Sequence, residues 1–197
     1  MTKTFWQSRA IALFAAAAVL GCAAANAQNN KKKPASPTEQ AVLLAQFGDW
    51  GAYKATPGGN KICFALSKPT SAVTDPVGRN RDPSYAFVST RPAEKVVNEV
   101  SMIVGYPQKP GVDATATIGS ASYVMYTQND GAWVKNAAEE AQMVETMRKG
   151  ADLVIKSESA LGTKTTDTYS LKGVGDALDK VAAEVRPAEV EAKKKGR

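Results

Sequence analysis

No histidine occurs in the 197 residues, and this sorts the available chemistry before any motif is considered. Imidazole is the commonest general base near neutral pH and the commonest metal ligand. Its absence excludes Ser-His-Asp and Cys-His catalysis and zinc sites of the His-rich kind. Carboxylates remain. Glu139-Glu140 and Asp176 with Asp179 are the closest pairs, but adjacent helical residues do not face one another. All four fall in or near first helical turns, where the helix dipole favours negative charge. A glycosidase needs two acids at a fixed separation across a cleft; Asp75 and Asp82, in one polar stretch, are the acids such an enzyme would use. Asp75, Asn80 and Asp82 lack the spacing of a calcium loop, and Pro76, Val77 and Gly78 break the ligand alternation. Ser157 and Ser159 lie near Lys156 without a helical Ser-x-x-Lys, and their alternation with Lys156 and Glu158 reads as two faces of a strand. Neither a P-loop nor Gly-x-Gly-x-x-Gly is present. Hence no catalytic, cofactor-binding or metal-ligating residue is assigned, no cofactor is expected, and the chain reads as a non-enzyme.

Aromatic and thiol groups are the other reactive or adhesive candidates. Trp50, Trp133, Tyr53, Tyr85, Tyr106, Tyr123, Tyr126 and Tyr169 sit in strands or at strand ends and are expected in the core or at sheet edges. An exposed cluster would instead mark a partner or glycan surface. Of the two cysteines, Cys22 lies inside the leader expected over residues 1–27 and Cys63 in Lys61-Ile62-Cys63-Phe64-Ala65-Leu66, a continuous apolar stretch. Cys63 is expected to be a buried, small apolar side chain. Once the leader is removed it has no intramolecular partner, which is notable in an oxidising compartment.

The N-terminus supplies an address. Lys3 and Arg9 precede an apolar run from Ala10 to Leu20, and Ala25-Asn26-Ala27 offers the small residues a signal peptidase reads. This is an export signal over residues 1–27, its apolar run too short to span a membrane comfortably. A periplasmic or secreted protein is expected. Val19-Leu20-Gly21-Cys22 approximates a lipoprotein box, a minority alternative weakened by leucine before the glycine.

Charge is unevenly placed. The chain carries a formal +6, but residues 38–185 hold 15 bases and 17 acids. The excess sits in a basic linker, 28–37, with Lys31, Lys32 and Lys33, and in a basic tail, 186–197, with Arg186, Lys193, Lys194, Lys195 and Arg197. Both are expected to be disordered. A nucleic-acid binder concentrates bases on a folded face, so no nucleic acid is expected. Weak peripheral contact of the tails with an anionic membrane, screened by salt, is compatible with them.

The elements that position these residues are mostly strands. Thr38–Gln46 reads as a short helix or the run-in to a strand, and Phe47–Tyr53 as a strand. Thr56-Pro57-Gly58-Gly59-Asn60 is a turn, Ile62–Leu66 a strand, and 68–83 a polar loop. Tyr85–Ser89, Val100–Tyr106, Ala114–Ile118, Ser122–Thr127 and Ala132–Val134 alternate in the strand manner, the last two joined by a tight turn at Asn129-Asp130-Gly131. Residues 107–113 form a turn. Asn136 with Glu139 predicts a helix N-cap. Ala137, Ala141, Val144 and Met147, with Met143 beside them, predict a helix closed by Gly150 in a left-handed cap. Strands resume at Leu153–Lys156 and Thr165–Leu171, around a turn at Ala160-Leu161-Gly162. Leu178, Val181, Ala182 and Val185 give a terminal amphipathic helix. About eight short strands with two helices favour one antiparallel sandwich or barrel domain over residues 38–185.

Five ordered stretches carry a resemblance: Phe47-Gly48-Asp49-Trp50; Lys61 to Ser67; Tyr85 to Pro92 running to Asn98-Glu99-Val100-Ser101; Gly131-Ala132-Trp133 with Ala137-Ala138-Glu139-Glu140; and Gly162 to Leu171. Together, over about residues 45–185, they resemble the invasion-associated locus B family of alphaproteobacteria. The resemblance implies an immunoglobulin-like β-sandwich with helical additions, an exported protein, a link to host-cell entry, and no enzymatic activity to carry over. It also implies a second cysteine near Val185 that would bridge to the counterpart of Cys63. Here that partner is missing, and with it about 2–4 kcal/mol of stabilisation. The expected partner is a protein or an envelope or host-surface macromolecule, recognised through segments 68–83 and 107–113. An envelope-integrity factor and a carboxylate-based cell-wall hydrolase are the alternatives.

Overall fold

Period-two alternation dominates the chain, and strands follow from it. The computed structural model describes residues 41–186; the expected signal, the linker, Cys22 and tail residues 187–197 lie outside them. The strands are β1 (Val42–Phe47), β2 (Trp50–Ala55), β3 (Ile62–Ser67), β4 (Ser71–Asp75), β5 (Tyr85–Arg91), β6 (Val96–Ile103), β7 (Ala114–Ile118), β8 (Ala121–Gln128), β9 (Gly131–Val134), β10 (Asp152–Glu158) and β11 (Lys164–Ser170). Helix α1 (Ala137–Lys149) follows β9, and α2 (Val174–Val185) follows β11.

All pairings are antiparallel, in the order β1-β2-β3-β5-β6-β9-β8-β7-β10-β11-β4. The fold is mainly β and sandwich-like, with both layers belonging to one continuous hydrogen-bonded sheet. The sheet coils until strands near its opposite ends meet. Trp50 Nε1 of β2 donates to Ser170 O of β11 at 2.8 Å, and Asp49 N donates to Lys172 O at 3.0 Å. Glycine makes that approach possible: a Cβ on Gly173 would stand 2.0 Å from Phe47 O, and one on Gly48 2.6 Å from Lys172 O.

Inward residues of nearly every strand enter one core, among them Trp50, Val88, Met102, Met125, Leu153, Ile155 and Tyr169. Helix α2 packs on β1, β2 and β3, and α1 on β6, β8 and β9. Met143 and Met147 are fully buried and fill irregular gaps as expected of unbranched side chains. Arg148 of α1 links the helices, donating to Gly175 O at 3.2 Å and pairing with Asp179 at 3.0 Å.

Four local expectations are corrected. Segment 68–83 is not all loop: Ser71–Asp75 forms β4 on β11, because Ser71-Ala72-Val73-Thr74 has strand-compatible side chains that the flanking prolines obscured. Phe47–Tyr53 is a hairpin rather than one strand, turned at Gly48 (φ +53°) and Asp49 with Phe47 opposite Trp50. Of the two readings of the stretch before it, the strand is the one found, as β1 (Val42–Phe47). Gly150 ends α1 with φ −83°, an extended cap rather than a left-handed one. Glycine is required there by space, since a Cβ would lie 2.4 Å from Ile118 Cγ2. The N-cap is as expected: Asn136 Oδ1 accepts the Glu139 N–H at 2.8 Å. The buried stripe of α1 is Met143, Val144 and Met147; Ala137 and Ala141 face solvent.

Candidate functional site

Where β4 and β11 form the sheet edge, no helix covers their inner side, and a cleft of about 540 Å³ opens. Its walls come from Thr74 of β4, the Arg79-Asn80-Arg81 segment, Tyr106-Pro107 after β6, and the β10–β11 turn from Ser159 to Thr163. Among the described residues two arginines line it and no carboxylate does, although acids and bases are equal in number over residues 41–186.

The two arginines differ. β11 presents Thr165, Asp167 and Tyr169 inward, all buried. A carboxylate in that position needs a cation, and Arg81 supplies it: Nη1 donates to Asp167 Oδ2 at 2.8 Å, and Nη2 donates to Oδ1. The same Nη1 reaches Val104 O at 3.2 Å. The hydrogen bond to Asp167 holds the guanidinium pKa above its ordinary value, although burial opposes it. Arg81 lies 5.9 Å from the centre of the Tyr106 ring, whose hydroxyl bonds that of Thr165. Burial raises the Tyr169 phenol, against a hydrogen bond from Ser84. Arg79, by contrast, is exposed and has no ion-pair partner among the described residues. Its N–H donates to Thr74 Oγ1 at 3.3 Å, which leaves its side chain available at the rim. Opposite it stands Leu161, 94% exposed.

The candidates from the sequence scatter. Asn80 lines the cleft. Asp82 is exposed, and its N–H donates to Gly105 O at 3.0 Å. Asp75 faces a separate outer groove of about 410 Å³ with Asp113 and Glu158. Those two are taken by Lys135 at 2.6 Å and Lys109 at 2.7 Å. Of segment 107–113, only Pro107 lines the cleft; Val112 and Asp113 face the outer groove. Ser157 and Ser159 point inward, as the alternation predicts. Ser157 Oγ donates to Gln108 Oε1, and Ser159 Oγ accepts the Thr163 N–H at 3.0 Å. Glu139 and Glu140 part company: Glu139 is exposed, while Glu140 accepts the Val100 N–H at 2.8 Å and has its pKa raised by burial. Asp176 stays exposed in the first turn of α2.

Trp50, Tyr123 and Tyr169 are buried. Tyr53 stacks on Phe64 at 5.4 Å and Tyr126 on Trp133 at 5.6 Å. Tyr126 is exposed, whereas Tyr53, Tyr85, Tyr106 and Trp133 are half-buried. Cys63 is buried and has no disulfide partner among the described residues, and burial pushes its thiol pKa up. Val185, where the resemblance implies a second cysteine, packs against the same core cluster.

Arg81, Asp167 and Arg79 carry the site, and the sequence reading did not single them out. One signal was available: Asp167 occupies an inward position in Thr165-Thr166-Asp167-Thr168-Tyr169, and a charge there demands a partner.

This is a mainly-β protein with a cleft at an open sheet edge. The family model for invasion associated locus B (IalB) protein matches residues 52–182, and the chain belongs to that family. Neither the curated proteins nor the solved structures give a match.

Proposed function

We propose that the protein is an exported, non-enzymatic recognition module of the envelope or cell exterior that binds another macromolecule through the cleft. The observation that carries this is the acid-free lining: Arg81 is locked by Asp167 while Arg79 and Leu161 remain exposed on the two walls. Every buried side-chain polar atom among the described residues has a hydrogen-bond partner, which supports walls that are already organised before binding. Family membership supports an invasion-associated role, and the leader expected from the sequence of residues 1–27 supports export. Among the described residues no helix is long and apolar enough to cross a membrane. The basic ends add weak, salt-screened attraction to anionic surfaces.

The test is a photo-crosslinking residue placed at Leu161 in cells, with Val97, 68% exposed at the opposite end of β6, as control. The expected outcome is a crosslinked macromolecule from position 161 alone, in the envelope or secreted fraction. Equal products from both positions, none from 161, or a cytosolic pool would overturn the reading.

A further inference from the structure

Strand edges left without a partner invite another backbone, and proteins usually blunt them. The sheet has two such edges among the described residues. β1 is blunted by a register shift between Leu43 and Ala45, a bulge of the kind that discourages pairing. β4 has none: its register with β11 runs unbroken from Ser71 to Asp75. It contains no lysine or proline, its one charge, Asp75, stands at its end and lines the outer groove rather than the cleft, and Val73 is 52% exposed.

Beside β4 runs a groove of about 430 Å³ whose opposite wall is Val77 to Arg81. Groove and cleft share Thr74, Arg79, Asn80 and Arg81, so they adjoin. Alternating backbone donors and acceptors lie on one side, an available guanidinium in the middle, and an apolar rim at Leu161 and Pro107 at the far end. A polypeptide matches the first feature, a carboxylate the second, and an aliphatic side chain the third. A glycan cannot pair with a strand edge.

We propose that the cleft takes an extended acidic peptide segment of a partner protein, its backbone added along β4, a carboxylate at Arg79 and an apolar side chain against Leu161. This rests on the cleft being the recognition surface. Strand addition gives affinity through main-chain hydrogen bonds and specificity through alternate side chains. In the bound segment the apolar residue and the acid stand two apart, on one face of the added strand.

The probe is acetyl-Thr-Val-Thr-Glu-Thr-amide, titrated into the purified protein by calorimetry or amide chemical shifts. Three comparisons accompany it: the Gln analogue, the same peptide N-methylated at Val, and a hyaluronan tetrasaccharide as competitor. The Glu peptide is expected to bind about three- to fivefold tighter than the Gln peptide, the size of one solvent-exposed ion pair. Arg79→Ala should erase that difference, N-methylation should weaken binding about tenfold or more, and the tetrasaccharide should not compete. The proposal is overturned if Glu and Gln peptides bind alike, if N-methylation has no effect, if the tetrasaccharide displaces the peptide, or if no peptide binds by about 1 mM. Failure here with a specific crosslink at Leu161 removes only the peptide; failure of both removes the recognition surface itself.

Discussion

The two edges of this sheet bury their inner faces by opposite means. Under β1–β3 lies α2, whose Val174, Ala177, Leu178 and Val181 are buried against the core, so an apolar helix face does the covering. Lys54 and Lys61 secure its end: Lys54 Nζ bonds Glu184 Oε1 at 3.0 Å and Lys61 Nζ bonds Glu184 O at 3.2 Å. Lys61 thereby meets a carbonyl near the helix C-terminus, where cations are favoured. The hydrogen bond from Lys54 lowers the Glu184 carboxyl pKa. Under β4–β11 there is no helix, and a loop arginine neutralises an inward aspartate. The apolar solution closes its edge, whereas the polar one leaves a shaped opening with a cation beside it. The proposed binding chemistry falls at the second edge, where the segment that supplies Arg81 to the fold also presents Arg79 to solvent.

The first test of that contrast is Asp167→Ala. It strands a largely buried guanidinium, 11% exposed, and should cost about 3 kcal/mol, the low end of what breaking a buried pair costs, read by urea denaturation. Replacing both partners, Arg81→Met with Asp167→Leu, should cost less than Asp167→Ala alone; a larger loss would mean the pair is needed for more than burial. At the other edge, Leu178→Ala should cost about 2–5 kcal/mol through transfer and cavity while leaving the cleft's affinities unchanged in the fraction that folds.

Gly150→Ala should cost about 1–3 kcal/mol by overpacking, and Ile118→Val should not rescue it if Cγ2 is the obstacle, since valine keeps a methyl in that region, whereas Ile118→Ala should recover part of the loss. A purely backbone role for Gly150 would leave Ile118→Ala without effect.

Smaller still is a pH effect at Glu140. Burial raises its carboxyl pKa above the ordinary 4.5, so the folded protein holds that proton more tightly than the unfolded chain. Its contribution is present below the unfolded value and is lost as pH rises through the folded one. Glu140→Gln should therefore flatten that part of the stability-against-pH curve. The smallest perturbation is thiol labelling of Cys63, which should be slow in the native protein and fast in denaturant.

Helix α1 and the Asn129-Asp130 hairpin were legible because their signals are local: a capping asparagine three residues before Glu139, and a turn dipeptide between alternating runs. β4 was obscured because only four strand-compatible residues, Ser71 to Thr74, sit between Pro69 and Pro76, and loop composition outweighed them. Gly150 looked like a left-handed cap because sequence shows the residue type but not Ile118 beneath it. The Arg81–Asp167 pair spans 86 positions, and no local pattern announces which loop cation meets an inward acid. The cleft inherits that difficulty, since its walls come from segments that only the coiled sheet brings together.

Amide hydrogen exchange, with and without the Thr-Val-Thr-Glu-Thr peptide, tests the division between the two edges most directly. The account predicts new protection at residues 72–81 and 159–165, with none in β1 or α2. Protection gained along β1 or α2, with 72–81 and 159–165 unchanged, would contradict it.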